Sequence, residues 1–367
     1  MLRRLFTDPL LIREMIAEAR MPSSECSTYP GIKWTLIISG LAAAVFVIYG
    51  RHEDLYSSCG FFAAAAWLQS WLLFRRGGEY MATSVSGSGE SGALSVLRTS
   101  PFSIGHAVVA KFAGTLMPLG LEMPLIFIIN AAVYAVWGSV PWLLLICVSF
   151  FQASLILFSA GLGSVFGRCL GNSGKAVRLY GQFAVLFGIV SFGMCYGSSL
   201  GSVMLIVFIL YLLLFLLPAF NERLSIFSSL LAVFIMVLMP FAYIFGANTV
   251  YDAARTVNPF VALWDAQPVD FSDTRSIYFS KLNEDRGFYK FADKCYGDMT
   301  GEEHLPDHPR WLEIFTGTVS DDPYAGCLIN EIYFKWRIRN LCVFSAGNLL
   351  LFALCFGLMW RKSYKQC

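Results

Sequence analysis

The stretch WLLLICVSFFQASLILFSAGLGSVF, residues 142–166, contains no charged side chain, and its polar members are four serines and Gln152. A helix that crosses the roughly 30 Å hydrocarbon core of a bilayer needs about 20 mostly apolar residues. In lipid only an internally hydrogen-bonded helix satisfies its own backbone. The stretch therefore reads as a transmembrane helix, and segments of similar character flank it. On the N-terminal side they occupy residues 34–50, 57–74 and 107–137; on the C-terminal side, 180–196, 202–217, 225–246 and 341–360. The segment 107–137 is long enough to begin outside the core or to kink at Pro118 and Pro124. The pair 180–196 and 202–217 is split only by Gly197-Ser198-Ser199-Leu200-Gly201, and a re-entrant turn there would lower the span count.

Composition agrees with this reading. The 367 residues are 56% apolar and 14% charged, with a mean hydropathy of +0.60, whereas soluble domains carry about 25% charged residues. A single water-soluble domain and a disordered chain are both excluded. The net charge of +2 is small and dispersed, so no nucleic-acid partner is expected. The expected fold is an all-α polytopic membrane protein: a bundle of about six to eight transmembrane helices with an N-terminal interfacial helix, a cytoplasmic coupling helix and a small extracytoplasmic domain before the last span.

Lys and Arg in short loops are retained on the cytoplasmic side. With the N-terminus inside, the inner segments collect the basic residues of the arm, then Arg75, Arg76 and Arg98, Arg168, Lys175 and Arg178, Arg223, and the tail residues Arg361, Lys362 and Lys365. Short outer loops hold only Arg51. The expected organisation is a cytoplasmic arm at 1–33, a transmembrane bundle at 34–246 with a coupling loop at 75–106, an extracytoplasmic domain at 247–340, and a last span with a basic cytoplasmic tail at 341–367. Both termini are then cytoplasmic, in a multi-pass protein of the plasma (inner) membrane. Lys335, Arg337 and Arg339 run against this pattern, because they lie just before the last span on the expected outside. The first 33 residues are charged throughout and lack the compact apolar stretch of a secretory signal. Of the cysteines, only Cys295 and Cys327 fall in the expected outer domain, where an oxidising compartment permits a disulfide; spacing alone leaves their pairing open.

Two inner segments carry further information. In the arm, Thr7-Asp8-Pro9-Leu10-Leu11-Ile12-Arg13-Glu14-Met15 reads as a helix start, with Asp8 as N-cap and Pro9 in the first turn. Leu11, Ile12, Met15 and Ile16 line one face of a helix too short and too charged to span, which suits the membrane interface. Between the second and third spans, residues 84–103 (SVSGSGESGALSVLRTSPFS) hold a short amphipathic helix with Ala93, Leu94, Val96 and Leu97 on its apolar side. Pro101 stops it, and Ser103 is placed to cap the next helix.

These two segments resemble the type-two exporter permeases of ATP-binding-cassette transporters. Their arm reads Asn-Pro-(Leu/Val)-x-x-(Arg/Lys)-Glu, and their first cytoplasmic loop reads Ser-Ile-x-x-Glu-x-x-x-Gly-Thr-Leu-x-Leu-Leu-x-Thr-Pro-Leu-Ser. The chain matches at Pro9, Leu10, Arg13 and Glu14, then at Ser84, Glu90, Gly92, Leu94, Leu97, Thr99, Pro101 and Ser103. Asp8 stands in place of the usual Asn, and Ala93 where Thr is common. Asn258-Pro259-Phe260-Val261-Ala262-Leu263 is similar to a stretch seen late in such permeases. The resemblance implies a permease subunit, an exporter, paired with itself or with a second permease. Glu90, Gly92, Leu94, Leu97, Thr99, Pro101 and Ser103 would couple it to a separate nucleotide-binding subunit, which supplies ATP and Mg; Asp8, Pro9, Arg13 and Glu14 would form the interfacial arm. No cofactor is expected in this chain.

Other chemistry is thin. Gly171-Asn172-Ser173-Gly174-Lys175-Ala176 lacks both the first Gly of a phosphate loop and its Mg-binding Ser or Thr, and reads as a polar turn. The spans offer no catalytic set, so an enzyme is not expected, and no metal site is expected around His304 and His308, where prolines disfavour a helix. Glu122 stands out, since a carboxylate in the membrane must be protonated, paired or facing water. It either lines a substrate path or bonds backbone freed by Pro118 and Pro124. Gln69, Asn130 and Gln152 read as interhelical hydrogen bonds. The alternative to transport is a non-transporting scaffold or receptor acting through the outer domain.

Overall fold

Long apolar runs free of charge leave a lipid-embedded backbone one solution, and nearly every described residue is helical; no strand occurs among them. The computed structural model describes residues 55–90, 104–137, 142–196, 198–220, 228–233, 254, 257–265, 286–300 and 323–365, together with Ile12 and Ile37. The helices are α1 (Leu55–Glu90), α2 (Ile104–Trp137), α3 (Trp142–Leu170), α4 (Ser173–Tyr196), α5 (Ser198–Tyr211), a π-helical segment (Leu212–Leu216), α6 (Leu217–Phe220), α7 (Pro259–Asp265), α8 (Arg286–Thr300) and α9 (Pro323–Lys365).

Four helices among the described residues are long and apolar enough to cross a membrane: Trp142–Leu170, Ser173–Cys195, Val203–Phe220 and Glu331–Leu358. They coincide with the expected spans at 142–166, 180–196, 202–217 and 341–360. Expected spans 57–74 and 107–137 lie within α1 and α2, while 34–50 and 225–246 fall almost wholly outside the described residues. The division of 180–217 into two helices holds. Phe183 and Phe187 of α4 both meet Phe208 of α5, and Tyr211 reaches back towards Leu179, so the two helices run antiparallel.

α1 departs most from expectation. Residues 75–90 continue the helix in place of opening a loop after residue 74. Serine and glycine are weak helix formers, but tertiary contacts override propensity. Ser84 Oγ and Thr115 Oγ1 of α2 share a hydrogen bond of 2.9 Å, Ser86 Oγ donates to the Ala82 carbonyl at 2.6 Å, and both serines are buried. The glycines bring α1 against α3. A Cβ on Gly163 would overlap the backbone of Gly78, one on Gly78 would overlap the Tyr180 ring, and one on Gly167 would lie 2.6 Å from the Ala82 carbonyl oxygen. α1 and α3 share the most extensive helix contact, and α9 covers another side of α3.

Between α3 and α4 the chain reverses in two residues. Gly171 adopts φ +68°, the left-handed conformation that costs glycine least, and its N–H donates to the Gly167 carbonyl at 3.2 Å. Asn172 Oδ1 then accepts the Lys175 N–H at 2.9 Å, capping α4. The polar turn expected at 171–176 is this helix–helix junction.

Asn258-Pro259-Phe260 packs against the helices of the bundle. Asn258 Oδ1 accepts the Phe260 N–H at 3.0 Å, and its Nδ2 donates to Ser191 Oγ of α4 at 2.9 Å. Phe260 is fully buried among Trp67, Phe74 and Phe187, so α7 is part of the bundle core.

Overpacking a glycine contact costs about 1–3 kcal/mol. Gly163→Ala should therefore lower the unfolding free energy in a denaturant titration by about that amount. Gly120→Ala, at a position with nothing within 4 Å of the added carbon, should leave it unchanged or raise it.

Candidate functional site

Several polar side chains inside the bundle are paired across helices. Gln69 of α1 and Asn130 of α2 exchange two hydrogen bonds of 3.2 Å, and Gln152 of α3 donates to Ser70 Oγ at 3.1 Å. Asn348 of α9 donates to Ser154 Oγ at 3.2 Å. Gln69, Asn130 and Gln152 are thus interhelical bonds, as their sequence context indicates. Two longer side chains bond directly to a neighbouring backbone: Trp71 Nε1 donates to the Ala184 carbonyl at 2.8 Å, and Tyr180 Oη donates to the Phe74 carbonyl at 3.1 Å. Gly188 makes room for the indole of Trp71.

A different chemistry gathers where α1, α4 and the π-helical segment meet. Arg75, Glu79, Arg178, Gln182, Tyr211 and Phe215 line a cleft of about 700 Å³. A smaller recess of about 450 Å³ adjoins it, with Asn172, Lys175 and Arg178 at its polar end and Phe215 and Ala219 at its apolar end. Arg75 Nε donates to Glu79 Oε1 at 2.7 Å across one helical turn. Gly181 opposite leaves the carboxylate its space, since a Cβ there would sit 3.2 Å from Oε1. Among the described residues lining the cleft and recess, Glu79 offsets one of the three cations Arg75, Lys175 and Arg178, so their balance is electropositive. Tyr211 Oη lies 3.5 Å from both the Leu179 carbonyl and Gln182 Oε1, and its ring stacks on Phe215 at 5.9 Å.

The π-helical segment contributes to that geometry. A π turn widens the helix by one residue and is frequent at functional sites. Here it follows Tyr211 directly and contains Phe215, which is 63% exposed on the cleft wall.

The residues that sequence reasoning singled out lie mostly apart from this cleft. Glu90 is the last residue of α1, and its side chain lies outside the described residues. So do Gly92, Leu94, Leu97, Thr99, Pro101 and Ser103 of the coupling segment and Asp8, Pro9, Arg13 and Glu14 of the arm. Glu122 is in the middle of α2, again with its side chain outside the described residues. Cys295 is a half-buried free thiol on α8, while the Cys327 side chain on α9 lies outside the described residues. Arg75 and Arg178 entered the sequence reading only as markers of orientation, and Lys175 as such a marker and as a member of the polar turn at 171–176. Glu79, Gln182 and Tyr211 were not recognised, because nothing in their spacing announces that three helices converge on them.

The cations before the last span are also accounted for. Arg339 lies over the rings of Phe291 and Trp336 at 5.1 and 5.3 Å, Arg337 over Tyr333 at 4.5 Å, and Lys335 pairs with Glu331 at 2.9 Å. The stacking of Phe291 with Arg339 and Trp336 fastens α8 to α9, while the Arg337–Tyr333 and Lys335–Glu331 contacts lie within α9.

No protein-family model, curated protein or solved structure matches the chain.

Two measurements check this description. A double-mutant cycle on Gln69→Ala and Asn130→Ala should return a coupling of about 0.6 kcal/mol and at most about 1.7 kcal/mol, the average and upper value for hydrogen bonds between membrane helices; strict additivity would remove the pair. Burial pushes the Cys295 thiol up from the ordinary cysteine range. Its alkylation, followed by peptide mass spectrometry, should therefore reach half-maximal rate at a higher pH in the folded chain than in the denatured one. Between those two pH values the folded chain holds the proton that the unfolded chain has released, so this thiol's contribution to stability falls as pH rises.

Proposed function

We propose that the chain is the transmembrane permease subunit of an ATP-binding-cassette transporter of the exporter type, moving a substrate across the plasma membrane while a separate subunit hydrolyses ATP with Mg. Beside the motif resemblance of residues 9–14 and 84–103, one observation supports this reading. α1 is continuous over 36 residues, about 54 Å of helix against a hydrocarbon core of about 30 Å. It carries the chain from the apolar segment at 57–74 to Glu90, the first of the residues that would couple to the ATPase. Along that length it is locked to α3 through Gly78 and Gly163 and to α4 through Tyr180. A push delivered at residues 91–103 would therefore displace three helices together.

In this reading both termini are cytoplasmic, and the permease acts as a dimer with itself or with a sibling chain. The coupling helix would follow α1 within residues 91–103, residues 1–33 lie at the interface, and Glu122 faces the pathway or braces the α2 backbone near its two prolines. A second reading, a scaffold or receptor working through segment 247–340, draws on the clamp of α8 onto α9, which gives that segment a rigid base.

Co-purification distinguishes the two. The wild-type chain should bring down an ATP-hydrolysing subunit, and Glu90→Lys or Pro101→Ala should reduce the recovered ATPase by at least about tenfold with helical content unchanged. A membrane-impermeant reagent that labels Leu97→Cys from outside intact cells would defeat the proposal, since no ATPase would then meet that segment. Glu122→Gln should abolish transport without loss of assembly if the carboxylate lines the path; unchanged transport assigns it to the α2 backbone.

A further inference from the structure

We propose that the cleft between α1, α4 and the π-helical segment binds an anionic phospholipid, with Lys175 and Arg178 on its phosphate and the wall around Phe215 against an acyl chain. The charge of the cleft favours an anion. Arg75 is already engaged by Glu79 at 2.7 Å, whereas Lys175 and Arg178 are exposed and have no ion-pair partner among the described residues. The two cations sit one helical turn apart (i, i+3) on α4 and line the same recess, so one phosphate can meet both.

Shape argues for a lipid over a free phosphate. The two hollows share Arg178, Gln182 and Phe215, so the polar end and the apolar wall form one continuous surface. Val185 and Leu186 extend the wall along α4, and Phe215 leaves most of its ring uncovered. An inorganic anion would use the cations and leave this apolar surface bare, whereas a phospholipid covers both. The volume, about 700 Å³ in the larger part, suits a headgroup with the first carbons of a chain. The position suits the source. By the distribution of Lys and Arg, the α3–α4 turn faces the cytoplasm, where the anionic leaflet lies and where basic pockets between membrane helices hold lipid headgroups. Such a lipid would touch α1 through Arg75 and α4 through Lys175 and Arg178, bridging the two helices that Tyr180 already joins.

The inference stands apart from transport, because it needs only a bundle in a bilayer. Its test uses the purified full chain in neutral detergent, titrated with phosphatidylglycerol and followed by native mass spectrometry. One saturable phosphatidylglycerol adduct is expected, with phosphatidylcholine at least about tenfold weaker. Lys175→Gln with Arg178→Gln should weaken that adduct by about tenfold or more, and Lys175→Arg with Arg178→Lys should restore it. Phe215→Ser should weaken the lipid without creating affinity for phosphate. Millimolar inorganic phosphate or glycerol phosphate should not displace the lipid; displacement by either assigns the site to a soluble anion and overturns the proposal. Equal binding of the two lipids, or an adduct unchanged in the double Gln variant, overturns it as well.

Discussion

A contact between backbones, Gly78 of α1 against Gly163 of α3, sets the geometry on which the rest of the bundle depends. In lipid, helices gain little from hiding apolar surface, because the acyl chains are as apolar as leucine; close packing and interhelical hydrogen bonds must hold them together. Small residues permit the closest approach, and here they recur along the seam as Gly77, Gly78 and Ala82 on one side and Ser159, Gly163 and Gly167 on the other. Gly78 is constrained twice, since the Tyr180 ring of α4 lies where its Cβ would be. Tyr180 then donates to the Phe74 carbonyl at 3.1 Å and meets the Phe166 ring edge-on at 5.4 Å. One glycine thereby fixes the mutual position of three helices.

Much of this architecture can be read from the residues, and the failures have definite causes. Long uncharged runs such as 142–166 identify membrane helices because lipid penalises every alternative. The pairing of Gln69, Asn130 and Gln152 is legible for the same reason: an amide buried in an apolar helix must find a partner. The extent of α1 is not legible, since Gly87-Ser88-Gly89 reads locally as a helix breaker. What keeps residues 75–86 helical is contact with α2 and α3, close in space but tens of residues away in sequence. The electropositive cleft is hidden differently. Its cations lie at positions 75, 175 and 178 and its aromatic wall at 211 and 215, and only folding makes them neighbours. Basic residues at helix ends have a sufficient explanation in topology, so no pattern in the chain marks these three as lining a common cavity.

α7 shows how a segment of mixed polarity enters a membrane bundle. Asn258 supplies both devices it needs: its Oδ1 caps the short helix, and its Nδ2 is satisfied by Ser191 Oγ. With that polar end paired, Phe260 and Leu263 can be fully buried in the same aromatic cluster as Trp67 and Phe74. Aromatic pairs at 5.7–5.8 Å between Phe260 and its neighbours on α1 and α4 add about 0.5–1.5 kcal/mol each beyond the buried area.

The position of Phe260 also ties the segment following α7 to the state of the bundle. Its ring touches Trp67 and Phe74 on α1 and Phe187 on α4. Any rotation or shift between α1 and α4 must therefore repack around Phe260, because close-packed interiors switch between discrete arrangements and do not stretch. At its far end the same segment is anchored through α8 to α9, where Phe291, Trp336 and Arg339 stack together, and α9 in turn lies against α3. A shift of α1 relative to α3 or α4 would thus be felt through packing at α7, around Phe260, and at α8 through its contacts with α9.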